Sequence, residues 1–285
     1  MTLGGFSRFN AQRIHHVLKR LRQRAEGFPP NGSPPTYPKG CALRWASVVT
    51  HLNILAPYSE DNQMDVYNNT GEAFCLMWQA IEEAKSTIDW ITYICKDDHV
   101  GRETIRRLVD AARRGVRVRF LYDDAGNISG RSSLMEPLIQ CPTATVTCFH
   151  PFLRRMLKYY VKGMEWSASP GIRNHRKILV VDDSVAFCGG LNIGNEYAGT
   201  EVGGSGKFRD SLCRVRGPAV QDLVLVVEDT IRAVYYGRQL PDIRSSIQRW
   251  VRGPKVHSST MVSAEYGCMC QVLASNAFHA FSAAR

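Results

Sequence analysis

No uninterrupted apolar run in this chain of 285 residues reaches the ~20 residues that a helix needs to cross a bilayer. Any membrane association is therefore expected to be peripheral. The cysteines offer no CxxC pair of zinc spacing. Cys268 and Cys270 are too close for that pattern, and the nine cysteines form an odd set. A reducing compartment, or incidental thiols, accounts for them without a disulfide framework. Acidic charge is short as well: 26 Asp and Glu face 36 Lys and Arg, for a formal net charge of +10. Such a balance suits a phosphate-bearing partner, either an anionic membrane surface or nucleic acid, and does not choose between them. What is present in quantity is ordinary. A 44% hydrophobic content in a chain this long is enough for a sizeable soluble core.

The shortage of acid is sharpest at the start, where Arg8, Arg13, Lys19, Arg20, Arg22 and Arg24 all precede the first acidic residue, Glu26. Ile14, Val17, Leu18 and Leu21 can form an apolar stripe among them. The composition is that of a mitochondrial presequence or of an amphipathic helix on an anionic membrane, with a basic solvated helix as the plainer reading. FPPNGSPPTYP, at 28–38, then breaks any regular element and reads as a linker.

The folded region is expected to start between Cys41 and Met64. Residues 71–85 read as a helix with Phe74, Met77, Trp78 and Ile81 on its core face. Residues 87–94 read as a strand, 103–114 as a helix with a basic surface, and 116–122 as a strand after the stop at Gly115. This alternation predicts an α/β fold, a mixed central sheet flanked by helices. Asp123 and Asp124 follow that strand, and solvated loop carboxylates are the expectation for them over a metal site. A short helix at 130–139 and a strand at 143–149 come next. HPFLRRMLKYYVKG, at 150–163, then interleaves Arg154, Arg155, Lys158 and Lys162 with Phe152, Met156, Tyr159 and Tyr160. It reads as a holder of lipid headgroups or nucleic-acid phosphates, or as a charged surface helix over an aromatic face.

The chemistry concentrates in GIRNHRKILVVDDSVAFCGGLNIGNEY, at 171–197. ILVV is a strand, Asp182-Asp183-Ser184 a turn, and VAFC a second strand. If the first strand starts near Asn174, His175 and Lys177 share a face. An imidazole can be a nucleophile near neutral pH, and an ammonium beside it can hold a phosphate oxygen. Gly189 and Gly190 allow a ligand close approach to backbone amides, and Asn192 adds an amide side chain at the same exit. Glu196 and Glu201 are the candidates for orienting the imidazole, with Glu196 preferred. Taken singly, each residue has a plainer use: a surface histidine, an edge-strand lysine, a turn aspartate. It is the set that points to a site.

HxKxxxxD followed by GGxN resembles the signature of the phospholipase D superfamily, with His175, Lys177 and Asp182 as the motif residues and Gly190 where many members carry Ser. The longer strings HRKILVVDD and GGLNIGNEY are most similar to bacterial-type cardiolipin synthases. TIDWITYICKDDHVGRETIRRLVDAARRGVRVRFLYDDAGN and FRDSLCRVRGPAV resemble that family's first lobe, so the likeness covers roughly 64–236. It implies a phospholipase D-like lobe and phosphodiester chemistry through a phosphohistidine-type intermediate, with no metal and no cofactor. The catalytic set it implies is His175, Lys177, Asp182, Asn192 and Glu196. Asp183 stands where glycine is common, which makes the turn less permissive.

The resemblance also exposes a shortage. Superfamily chemistry ordinarily uses two facing motifs, and this sequence has one: His99, His150, His257 and His279 are each followed two residues later by something other than lysine. CQVLASNAF, at 270–278, is similar to the opening of a second lobe. The expected organisation is therefore a basic targeting-type segment and linker at 1–40, the lobe at 41–250, and the start of a truncated second lobe at 251–285. Two copies of the chain would then bring two motifs together as a homodimer. The function expected is phosphatidyl transfer forming cardiolipin from phosphatidylglycerol or a related donor. Phospholipid hydrolysis, a dimeric nuclease and an inactive structural half-enzyme are the alternatives. The expected partner is an anionic phospholipid membrane surface, mitochondrial in a eukaryote and the inner membrane in a bacterium.

Overall fold

The computed structural model describes residues 59–127, 131–164, 170–236, 268–270 and 272. The basic segment and linker at 1–40 lie outside the described residues, as does nearly all of 251–285. In chain order the elements are β1 (Ser59–Tyr67), α1 (Thr70–Glu83), β2 (Thr87–Thr92), α2 (His99–Arg113), β3 (Arg117–Asp123), α3 (Arg131–Ile139) and β4 (Ala144–Phe149). Then come α4 (Phe152–Val161), β5 (Ile178–Val181), β6 (Val185–Gly189), β7 (Leu212–Arg216), α5 (Ala219–Tyr236) and β8 (Cys268–Cys270). The strands join in one sheet of order β4-β3-β2-β5-β6-β7-β1-β8. β2, β3 and β4 run parallel, and every other neighbouring pair is antiparallel. This is the mixed sheet expected of an α/β lobe, contained within the compact unit Ser59–Cys270.

Side-chain alternation along the strands sorts the two faces. Ile88, Trp90, Phe120 and Leu179 join a core with Phe74 and Ile81 of α1 and Leu108 of α2. The alternate residues turn the other way: Arg119 forms two bonds to Asp89, at 2.6 and 2.5 Å, and an ion pair at 2.6 Å with Glu228 of α5. With helices on both faces, β5 is buried at all four positions, which is why it reads as the unbroken apolar run ILVV. Phe74 and Trp78 are core residues, as the helical spacing predicts, and Trp78 Nε1 donates to Thr104 Oγ1 at 3.0 Å.

Two local devices fix the chain entering the site. Asn69 caps α1 by accepting from Gly71 N and Glu72 N, and Asp98 caps α2 by accepting from Gly101 N. The other oxygen of Asp98 accepts from Asn195 N at 2.7 Å, while Asn195 Oδ1 accepts from Val100 N at 3.0 Å. The segment GGLNIGNEY is thus tied to the start of α2. One expectation is revised: β5 begins at Ile178, so His175 and Lys177 lie on the lead-in to the strand. Residues 268–270, within the 251–285 expected to open a second lobe, form an edge strand paired with β1.

Candidate active site

The site gathers where β2 ends and β5 begins. The chain leaving β2 runs alongside the chain leaving β6: Ile193 N donates to Ile94 O and Lys96 N to Ile193 O, both at 3.0 Å. Asn127 locks the same corner from β3, donating to Tyr93 O at 2.9 Å and Asp123 O at 2.7 Å and accepting from Cys95 N at 2.7 Å. His175 projects into solvent against this rigid corner, its ring centroid 4.7 Å from that of Tyr93. Lys177 is buried beside it, with Nζ donating to His175 O at 2.9 Å and lying 5.4 Å from the Tyr93 ring centroid. Tyr93 therefore braces both groups, a role that its position at the end of TIDWITY did not reveal.

The electrostatics favour a neutral imidazole next to an ammonium. Partial burial, then the positive charge of Lys177, holds the His175 pKa below its usual 6.5, against a smaller opposing pull from Asp123. Burial also brings Lys177 down to about 8, against the negative charge of Asp210. Asp210 lies directly against Gly190, where a Cβ would collide with its carboxylate. A serine at position 190 would require Asp210 to move. Sequence reasoning had no candidate role for Asp210, although FRD was within the string that carried the resemblance.

Asp123 and Asp124 correct the expectation of solvated loop carboxylates, since both are fully buried. Asp123 accepts from Ala125 N, Arg173 Nη1 and Asn174 N at 2.9, 2.9 and 2.8 Å, which fixes the residues just before His175. Burial raises its pKa, and these same bonds with the Arg173 charge oppose the rise. Arg173 Nη2 and Asn174 Nδ2 are buried with no hydrogen-bond partner among the described residues.

The remaining expected site residues fall in three places. Asn192 is buried at the corner, its Oδ1 accepting from Ile94 N at 3.2 Å. Glu196, the expected orienter of His175, is instead ion-paired with Lys96, which follows β2 by four residues and is a hundred residues away in sequence. Glu201 lies with its carboxylate close to Gly71 and Gly199. Asp182 sits at the far end of β5 from Lys177, with four strand residues between them, a separation of roughly 16 Å. There it accepts four bonds, from Lys85 N, Ser86 N, Ser86 Oγ and Thr87 N, at 2.8 to 2.9 Å. These bonds dock the β5–β6 turn onto the start of β2 and place Asp182 in support of the fold rather than at the corner. No group of three or more His, Cys, Asp or Glu side chains among the described residues is arranged to hold a metal.

The α/β lobe thus has a mixed sheet that presents an exposed histidine and a buried lysine from the lead-in to a central strand, beside a glycine-lined exit with an asparagine. Residues 77–201 match the family model described as "Cardiolipin synthase, PLD-like domain". Over those residues the chain is similar to the phospholipase D-like domain of cardiolipin synthases.

Among curated proteins, the chain is 36% identical over 170 residues to a cardiolipin synthase of Geobacillus kaustophilus, covering 60% of this chain and 32% of that one. It is 35% identical over 181 residues to cardiolipin synthase 1 of Bacillus anthracis, covering 62% and 33%. The chain thus spans about a third of the length of the curated relatives it matches. Among solved structures, Nuc from Salmonella typhimurium, a phospholipase D family member, aligns with TM-score 0.44 at 19% identity, over 60% of this chain and 95% of that one. NucT from Helicobacter pylori aligns with TM-score 0.45 at 15% identity, over 61% and 97%.

Proposed function

We propose that this chain transfers a phosphatidyl group through a phosphohistidine, forming cardiolipin from phosphatidylglycerol. The observation that carries the reading is the pairing of an exposed, neutral-leaning His175 with the buried ammonium of Lys177 on one rigid corner. An imidazole nitrogen of His175 attacks phosphorus, and the P–O bond to glycerol breaks as that oxygen takes up a proton. Lys177 and the amide of Asn192 hold the non-bridging oxygens of the charged intermediate. The hydroxyl of a second phosphatidylglycerol then gives up its proton and attacks the same phosphorus, and the P–N bond breaks. Water in place of that hydroxyl yields hydrolysis. One motif per chain is completed by a second copy, whose own His175 supplies and retrieves the proton.

The relatives named cardiolipin synthase support this reaction, as does the +10 charge for an anionic lipid surface. We place the protein peripherally at a membrane, mitochondrial in a eukaryotic host and inner in a bacterial one. No described helix is long and apolar enough to cross a bilayer. The test is conversion of labelled phosphatidylglycerol in anionic vesicles by the full chain and by His175→Ala. Cardiolipin is expected from the unsubstituted chain, with a loss of at least about a thousandfold in the variant. Equal rates would remove His175 from the mechanism. Salt-sensitive cleavage of single-stranded nucleic acid, with lipid untouched, would replace phosphatidyl transfer by nuclease activity.

A further inference from the structure

We propose that α4 is an interfacial helix that seats this chain on an anionic lipid bilayer, a deepening that rests on the phosphatidyl-transfer reading. At about 100° per residue, its positions divide into three stripes. Phe152, Met156 and Tyr159 face inward and are half-buried. The adjacent stripe is apolar yet open to solvent: Leu153 is 82% exposed, Leu157 67%, Tyr160 65% and Val161 78%, and Met164 just beyond the helix continues it at 62%. Arg154, Lys158 and Lys162, all exposed, form the third stripe, alongside the apolar one. Contiguous exposed aliphatic side chains are unusual on a soluble surface and mark a place where something else lies.

The chemistry of the two exposed stripes selects the occupant. Leucine and valine gain by leaving water for the acyl boundary, while lysine and arginine at the same depth reach anionic headgroups, which is the layout of a helix lying in a membrane interface. A nucleic-acid backbone would satisfy the basic stripe and leave the aliphatic one wet. A second copy of the same helix would bring the basic stripes near one another. Position also fits. Phe152 N donates to Asp124 Oδ2 at 2.5 Å, the Arg173 guanidinium lies 5.9 Å from the Phe152 ring, and Arg173 Nη1 donates to His150 O at 3.1 Å. The start of α4 is therefore fixed to the residues that lead into His175. A bilayer that takes up the apolar stripe brings phosphatidyl headgroups to the level of the site.

The experiment uses the full chain with sucrose-loaded vesicles of equal phosphatidylglycerol and phosphatidylcholine, and reads both partition and turnover. The variant L153S/L157S alters two exposed side chains, and K158E/K162E tests the basic stripe independently. L153S/L157S is expected to lower partition at least about tenfold while keeping turnover of a short-chain phosphatidylglycerol dissolved as monomers. K158E/K162E is expected to weaken binding to these vesicles and not to pure phosphatidylcholine. Unchanged partition of L153S/L157S overturns the proposal. So does light scattering that shows a wild-type dimer dispersed by these substitutions with vesicle binding intact, because the stripe then belongs to a second copy. If partition falls as expected while wild type turns over neither form of the lipid, docking stands and the reaction class fails. Wild-type turnover with unchanged partition gives the reverse.

Discussion

Removing the Asp182 carboxylate should cost stability rather than chemistry. Its oxygens accept four hydrogen bonds from Lys85, Ser86 and Thr87, and it lies beyond the far end of β5 from Lys177. A hydrogen bond to a charged acceptor contributes about 1.5–3 kcal/mol, but donors left at exposed positions regain water. Two of the three residues involved are exposed, so Asp182→Ala is expected to lose about 3 kcal/mol and Asp182→Asn, which keeps one acceptor oxygen, about 1 kcal/mol. For a folded unit of this size the alanine variant should melt roughly 6–12 °C lower.

The pH dependence gives an internal control. Burial pushes the Asp182 pKa up, but the N–H groups of Thr87, Lys85 and Ser86 and the Ser86 hydroxyl outweigh it and hold the value below the usual 3.8. A depressed carboxylate stabilises the fold above its unfolded value and loses that contribution as pH falls through the folded one. The difference in melting temperature between wild type and Asp182→Asn should therefore be full at pH 7 and close below pH 4. Thermal unfolding by circular dichroism and phosphatidyl transfer well below the transition are the assays. A variant that melts like wild type and has lost turnover by a hundredfold would refute the reasoning and return Asp182 to the chemistry.

Three further predictions follow from the same geometry. Turnover should have an acid limb below pH 6.5 from His175 and an alkaline limb near 8, as Lys177 loses its proton. Because Asp210 holds the Lys177 value up, Asp210→Asn should move the alkaline limb to lower pH in a kcat/KM profile; an unmoved or higher limb would disprove the coupling. Asp183 has a φ of 50° beside 51° at Asp182, so Asp183→Gly should relieve left-handed strain and raise stability by about 1 kcal/mol in denaturant unfolding, and a loss would contradict it.

The lobe was legible where local pattern and final position agree. ILVV and VAFC are the two central strands, and the helix read at 71–85 is α1 at Thr70–Glu83. β1 escaped because SEDNQMDVY has neither an apolar run nor clean alternation, and its ladder partners come from β7 and β8. In the site, His175, Lys177 and Asn192 could be read from one continuous string. The partner of Glu196 could not, since Lys96 reaches it only through the meeting of the chains leaving β2 and β6. Asp123 and Asp124 looked like loop acids because nothing local announces Arg173, whose side chain is what makes a buried Asp123 tolerable.

The place of β1 in the sheet has a consequence for how the protein is made. Gln63 is paired with Arg216, so the first of the described strands to leave the ribosome waits for a partner synthesised about 150 residues later. At ~5–20 residues per second that interval is roughly 8–30 s. Throughout it β1 presents unsatisfied backbone and the exposed Met64 and Val66 to whatever is near. Chaperone capture of nascent chains should therefore be strongest before β7 emerges and fall once it has paired.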